Sequence, residues 1–276
     1  MASLHVNGTE IHYAEAGQGG AKLQGGAKLL MVHGTLGDQR SFEAQMAPLA
    51  AAGLHVMALS MRHCWPGTWP DAGGDFRIDT HVADVAAFIA ALGAGPVALL
   101  GHSCGGHIAL RVAERHPTLL RALILAEPGG ELDESLGGQP AAAGNATAFT
   151  RAAELIAAGD AEGGLRVVAE HTGGPGAWER RPEARKTVSR DDARTMLGQR
   201  DEQRRPFSRA TAATIRTPTL FLYGAQTRPN FVANVQALSG AIPGAKVVVI
   251  PRATHGLPYE NPTDFNAAVA AFLAAP

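Results

Sequence analysis

The stretch that most constrains this chain is Gly101-His102-Ser103-Cys104-Gly105-Gly106. In front of it stands Pro96-Val97-Ala98-Leu99-Leu100, an apolar run with proline only at its start, which reads as a buried strand. Residues 107–115 behind it are rich in helix formers and are stopped by His116-Pro117. A strand, a Gly-x-Ser-x-Gly turn and a helix together form a nucleophile elbow. Glycine at 101 and 105 lets strand and helix approach closely, and the serine hydroxyl is left exposed at the tip. The orphan N–H groups and positive dipole end of the helix suit a developing oxyanion. A bare Gly-x-Ser-x-Gly also arises by chance as a glycine-rich turn, so its weight comes from what surrounds it.

The surroundings alternate strand and helix. Residues 4–6 and 11–15 flank Asn7-Gly8, the favoured dipeptide of a tight hairpin. Strands are predicted at 28–32, 54–59, 121–126, 219–223 and 246–250. Helices are predicted at 42–52, closing at Gly53, at 80–92, capped by Asp79 or Thr80, and at 231–238 and 262–274. This order implies an α/β fold: a mostly parallel central sheet with helices on both faces. Gly20-Ala21-Lys22-Leu23 returns as Gly26-Ala27-Lys28-Leu29, a short duplication expected to lengthen a surface loop. From 131 to 209 glycine-rich loops alternate with short helical pieces, and many arginines and carboxylates follow Trp178. That segment is expected to be an inserted helical lid on a core made of 1–130 and 210–276, its charge run a solvated helical face.

Candidate site residues cluster at the strand ends. The strand at 28–32 runs into His33-Gly34-Thr35-Leu36, and the backbone N–H of Thr35, with that of Cys104, is expected to form an oxyanion hole. Gly34 or Leu36 takes the place of Thr35 if the loop slips by one residue. His33 either braces this loop or lines the pocket. His63, Trp65 and Trp69 lie in a loop at the mouth where open α/β sheets bind ligands, and lining the pocket or packing the loop serves them equally well. Leu36, His102 and Trp178 complete the candidate substrate contacts, Trp178 having a place in the lid's own small core as its alternative. Asp84 is expected to be solvated or bonded to a loop.

The whole chain narrows the classes further. With a net charge of -1 there is no electrostatic case for nucleic acid or an acidic membrane surface. The two cysteines, Cys64 and Cys104, offer neither a disulfide framework nor zinc-ligand spacing, so no metal and no cofactor are expected. The first residues carry no basic region and no long apolar run, which reads as a soluble cytoplasmic protein. The partner expected is a small molecule, with homodimerisation left open.

His33-Gly34 after a strand, the Ser103 elbow and His255 after the last strand, in that order, resemble the α/β-hydrolase superfamily over residues 4–128 and 210–274. The resemblance implies a Ser103–His255 pair completed by a carboxylate. In many members that acid follows the next-to-last strand in a Gly-x-x-Asp pattern, but here the place reads Gly224-Ala225-Gln226-Thr227. The superfamily's alternative is an acid one strand earlier, where Glu127 stands, an arrangement similar to that of zearalenone-type lactonases. Thr227 is then expected to take no part. The implied activity is hydrolysis of an ester or lactone of a small, largely apolar molecule through an acyl-enzyme. A serine argues against epoxide or haloalkane opening, which needs a carboxylate nucleophile. Carbon–carbon bond hydrolysis, cofactor-independent oxygenation and a receptor-like binding module remain as alternatives.

Overall fold

A computed structural model describes residues 2–17, 27–93, 95–139, 147–200, 202 and 204–275. The duplicated tetrapeptide at 20–23 lies outside them. The first two strands, β1 (Ala2–Val6) and β2 (Thr9–Ala16), are joined through Asn7 and Gly8, both at positive φ (47° and 72°), as a tight primed hairpin turn requires. Apolar runs of five to seven residues form the other strands: β3 (Lys28–Val32), β4 (His55–Leu59), β5 (Val97–His102), β6 (Leu120–Ala126), β7 (Thr219–Gly224) and β8 (Lys246–Ile250). Among the described residues they make one sheet in the order β1-β2-β4-β3-β5-β6-β7-β8. β2 runs antiparallel to both its neighbours, and every other pairing is parallel.

Parallel strands need crossovers, and the crossover helices cover both faces of the sheet. The helices before the insertion are α1 (Glu43–Ala51), α2 (Ile78–Ala91) and α3 (Cys104–Arg115). Alternate residues of β3 divide accordingly. Leu30 and Val32 enter one core with Val82 and Phe88 of α2 and Ile108 of α3, whereas Leu29 and Met31 enter the other with Leu49 of α1. Each such buried leucine or isoleucine contributes about 1.5–3 kcal/mol.

One local expectation changes, and for Asp84 the loop-bonded alternative holds. The second helix begins at Ile78, and neither Asp79 nor Thr80 caps it; Arg77 occupies the N-cap with no side-chain bond. The carboxylate of Glu202, far away in sequence, accepts the Ile78 N–H instead, while Thr80 donates its hydroxyl to Asp75. Asp84 is buried and bonded to a loop: it accepts two bonds from Arg62 and one from Asn7, tying the hairpin turn to α2.

Between β6 and β7 the chain leaves the sheet. It forms α4 (Ala148–Ala157), α5 (Ala161–Gly173), α6 (Ala177–Arg180) and α7 (Glu183–Asp191), then returns through α8 (Arg209–Ala212). Thr147 and Asp160 cap α4 and α5, each accepting the N–H of the third helical residue. The two ends of the excursion are pinned together, with Asp133 N–H donating to Phe207 O and Phe207 N–H to Glu131 O, both at 2.8 Å. The inserted helices have a core of their own, including Ala152, Leu165, Val168, Trp178 and Met196, and Leu36 from the main body reaches into it. After β7 the chain closes with α9 (Pro229–Ala241), α10 (Leu257–Glu260) and α11 (Pro262–Ala274).

Candidate active site

The elbow is set by close approach. A Cβ at Gly101 would stand 2.1 Å from the Gly105 carbonyl oxygen, and one at Gly105 would stand 2.1 Å from that of Val32. Ser103, between them, has φ 54° and ψ -117°, a conformation that costs a non-glycine residue roughly 1–3 kcal/mol. Its neighbours hold it there: Ser103 N–H donates to Ala126 O, and Ser103 O accepts from Gly129 N–H and His107 N–H. Cys104 opens α3, so its N–H has no acceptor within the helix. The Cys104 side chain meets Arg204, whose Nη2 lies 3.3 Å from Sγ. Burial pushes the Cys104 thiol up, against any role as a thiolate nucleophile.

Glu127 follows β6 at φ 44° and is completely buried. Its Oε2 lies 2.6 Å from His255 Nδ1, which donates to it, and accepts the Thr227 hydroxyl at 2.8 Å. Its Oε1 accepts the Gly224 N–H at 2.8 Å. Gly224 can sit this deep because the His255 loop packs against it; a Cβ there would lie 2.3 Å from Ala253 O. Thr227 is therefore no bystander. It stands where the sequence resemblance would place an acid, and its hydroxyl bonds a carboxylate that comes from one strand earlier.

His255 is held by three contacts, two on its ring and one on its main chain. Phe231 of α9 stacks on it, with centroids 4.0 Å apart and planes at 16°. Glu127 orients its Nδ1, and His102 Nε2–H donates to its backbone carbonyl at 2.8 Å. Burial pushes the His102 pKa down to about 3, so that ring stays neutral while it ties the elbow to the His255 loop. Among the described residues no hydrogen bond joins the Ser103 hydroxyl to His255, a contact that commonly closes only around substrate.

Ser103, His255 and His102 line one cavity of about 410 Å³, together with Gly34, Thr35 and Leu36. Leu36, Phe149 of α4 and Val168 of α5 give it an apolar wall. Its polar lining includes Arg181, Arg185, Ser41 and Tyr259.

Five candidates stand elsewhere. His33 is buried behind the loop with both nitrogens engaged, Nδ1–H donating to Gly34 O (2.8 Å) and Nε2 accepting Met61 N–H (3.0 Å). Burial lowers its pKa to about 4, and it braces the loop rather than lining the cavity. His63 packs edge-on to Trp69, which in turn meets Phe76, so this part of the mouth loop is packed on itself. Trp65 lies under the Arg40 guanidinium, 3.9 Å from its ring centroid. Trp178 is buried in the insertion's own core and donates its indole N–H to Glu162.

The polar lining was not foreseen, because the arginines after Trp178 read as a solvated face. Arg185 nevertheless shares an i, i+3, i+4, i+7 stripe with buried Val188, Ser189 and Asp192. That spacing is the signal that one arginine of the run turns inward.

A model of the alpha/beta hydrolase fold matches residues 28–262, and the chain belongs to that family. It is similar to sn-1-specific diacylglycerol lipase ABHD11 of Mus musculus, 24% identical over 266 residues, covering 89% of this chain and 80% of the relative. It is also similar to Lipase LipV of Mycobacterium tuberculosis, 32% identical over 116 residues, a match spanning 40% of this chain and 41% of LipV. Among solved structures, the enol-lactonase from Burkholderia xenovorans LB400 superposes with a TM-score of 0.77 over 99% of this chain and all of that one, at 20% identity. This last likeness is one of fold. No helix among the described residues is long and apolar enough to cross a membrane.

Proposed function

We propose that the chain is a serine hydrolase that cleaves a carboxylic ester or lactone of a small molecule through an acyl-enzyme, with Ser103, His255 and Glu127 as its triad. The observation that carries this reading is the 2.6 Å bond from His255 Nδ1–H to a wholly buried Glu127, at the edge of a cavity shared with the strained Ser103. With Nδ1 carrying a proton for Glu127, Nε2 of the neutral imidazole is left as the base. It takes the Ser103 proton as the hydroxyl attacks the acyl carbonyl and gives it to the departing alcohol oxygen. Glu127 stabilises the imidazolium formed between those two transfers. Its other bonds, from Gly224 N–H and Thr227, keep it oriented. The oxyanion is received by Cys104 N–H and an N–H of the Gly34–Thr35–Leu36 loop that His33 braces. Water then attacks the acyl-enzyme by the same route. Residues 131–209 serve as the lid, supplying the Phe149 and Val168 wall that excludes water from the apolar part of the substrate.

The test is turnover of 4-nitrophenyl butyrate and of a simple aliphatic lactone, with oxygen uptake followed in parallel. The expected result is hydrolysis without oxygen consumption, reduced in Ser103→Ala by roughly 10⁴ or more. Oxygen uptake, or activity that survives Ser103→Ala, contradicts the proposal.

A further inference from the structure

The catalytic cavity is not apolar throughout. Arg181 and Arg185, from the turn before α7 and from α7 itself, line it beside Tyr259 and Ser41. Arg185 spans from the insertion to the main body. Its Nη1 donates to Arg40 O (3.2 Å), its Nη2 to Ser41 Oγ (3.3 Å), and its guanidinium carbon stands 5.1 Å from the Tyr259 ring centroid. Its Nε is shut off from solvent and has no hydrogen-bond partner among the described residues. Arg181 donates to the Ser189 hydroxyl at 3.0 Å. These acceptors are all neutral, and among the described residues neither guanidinium is paired with a carboxylate.

The nearby carboxylates are engaged elsewhere. Glu260, which also lines the cavity, has its oxygens taken by the N–H and hydroxyl of Thr254. Asp38 is held in a fork by Arg40 at 3.0–3.1 Å. Burial accordingly pushes the Arg185 guanidinium below its ordinary range, while arginine remains charged throughout the accessible pH range. A desolvated cation without a counter-charge is unfavourable, and the wall of a ligand cavity is where a ligand can supply that charge.

We infer that this cavity takes an ester or lactone bearing a carboxylate away from the scissile bond, with Arg185, seconded by Arg181, as the anion-binding part of a pocket whose apolar lining is Leu36, Phe149 and Val168. This deepens the hydrolase reading and rests on it for the ester, though not for the anion. The planar fork of a guanidinium matches the two oxygens of a carboxylate, and Arg185 already has its stem and outer nitrogens positioned by protein atoms. A substrate apolar at one end and anionic at the other matches the two kinds of lining.

Binding is tested first, in the Ser103→Ala protein, by calorimetry with N-(4-nitrophenyl)glutaramate and with its methyl ester. The carboxylate should bind roughly tenfold or more tightly than the ester at low salt, with the preference shrinking as salt is raised. Arg185→Met in the same background should reduce the ratio to about one, and Arg185→Lys should retain part of it. Equal affinity for the two ligands in the protein that keeps Arg185, or a preference untouched by Arg185→Met, overturns the inference. If Arg185→Met does not fold, the first comparison and its salt dependence decide alone. Hydrolysis by the unmodified protein of 4-nitrophenyl hydrogen glutarate against 4-nitrophenyl methyl glutarate separates the two claims. Anion-selective binding without turnover of either ester upholds the anion site and removes the hydrolase. Turnover of both at equal kcat/KM with equal binding upholds the hydrolase and removes the anion site.

Discussion

At the scale of residues, the site turns on one carboxylate and the three groups that donate to it. Glu127 receives His255 Nδ1–H, the Thr227 hydroxyl and the Gly224 N–H in a place closed to solvent. Glutamine fits the same space but brings an N–H₂ to positions where only acceptors serve, and it carries no charge to stabilise the imidazolium. Glu127→Gln should therefore remain folded and lose roughly 10³–10⁴ in kcat on an activated ester, the scale known for neutralising a triad acid. Near-normal turnover would remove Glu127 from the proposed triad. Thr227→Ala removes one hydroxyl bond to the Glu127 carboxyl group, so its effect should be smaller, roughly tenfold in kcat with little change in KM. A Thr227→Ala enzyme indistinguishable from the parent would return this residue to the bystander role its sequence context suggested. Why sequence context misled here is physical. Threonine at an acid's usual position announces only that the acid is absent, and its hydrogen-bond partner lies 100 residues away.

At the scale of elements, the insertion is held by its own core and by a buried junction with the main body. Trp178 fills that core, with its indole N–H on Glu162, so Trp178→Ala should cost about 3–5 kcal/mol of the insertion's stability. Substrate preference between large and small esters should hardly change. A shifted preference with an unchanged melt would place the ring against ligand after all. At the junction, Asp192 accepts the Trp65 N–H at 2.7 Å while facing Asp38, Arg40 and Cys64. Burial, and then the charge of Asp38, pushes the Asp192 carboxyl up to about 8. The folded protein thus keeps a proton that the unfolded chain releases near its ordinary pKa of about 4. The stabilisation is complete below about pH 4 and falls as pH rises toward about 8. Thermal melts should show the parent protein losing stability across that window relative to Asp192→Asn, whose amide can still accept from Trp65 and has no proton to lose. Parallel melting curves for the two proteins would contradict the protonated assignment. These inward faces were only partly legible in the sequence. An arginine or tryptophan on a short helix can serve either side, and an arginine's long stem lets its head reach water or a cavity from the same position.

At the scale of the whole molecule, the sheet was the most legible part, because each parallel strand is a continuous apolar run and each crossover carries its own stop signals. Val97–His102 and the elbow glycines illustrate this, since local sequence alone dictates the close approach seen at Gly101 and Gly105. The loop beyond β4 was less legible. His63, Trp65 and Trp69 have the composition of a pocket wall, yet they satisfy one another and Arg40 away from the cavity. The inferred anionic preference of the cavity depends on residues far apart in the chain meeting, Arg185 against Ser41 and Tyr259, and no local pattern encodes such a meeting. What the molecule is built around remains the serine at the turn. The most direct measurement is peptide mapping by mass spectrometry after treatment with a 4-nitrophenyl alkylphosphonate ester, a reagent that loses nitrophenolate on attack by an activated hydroxyl. The expected result is one adduct per chain, on Ser103, formed at a rate that falls sharply in His255→Ala and Glu127→Gln. An adduct on Cys104 or elsewhere, or ester hydrolysis that proceeds at full rate with Ser103 unlabelled, would contradict it.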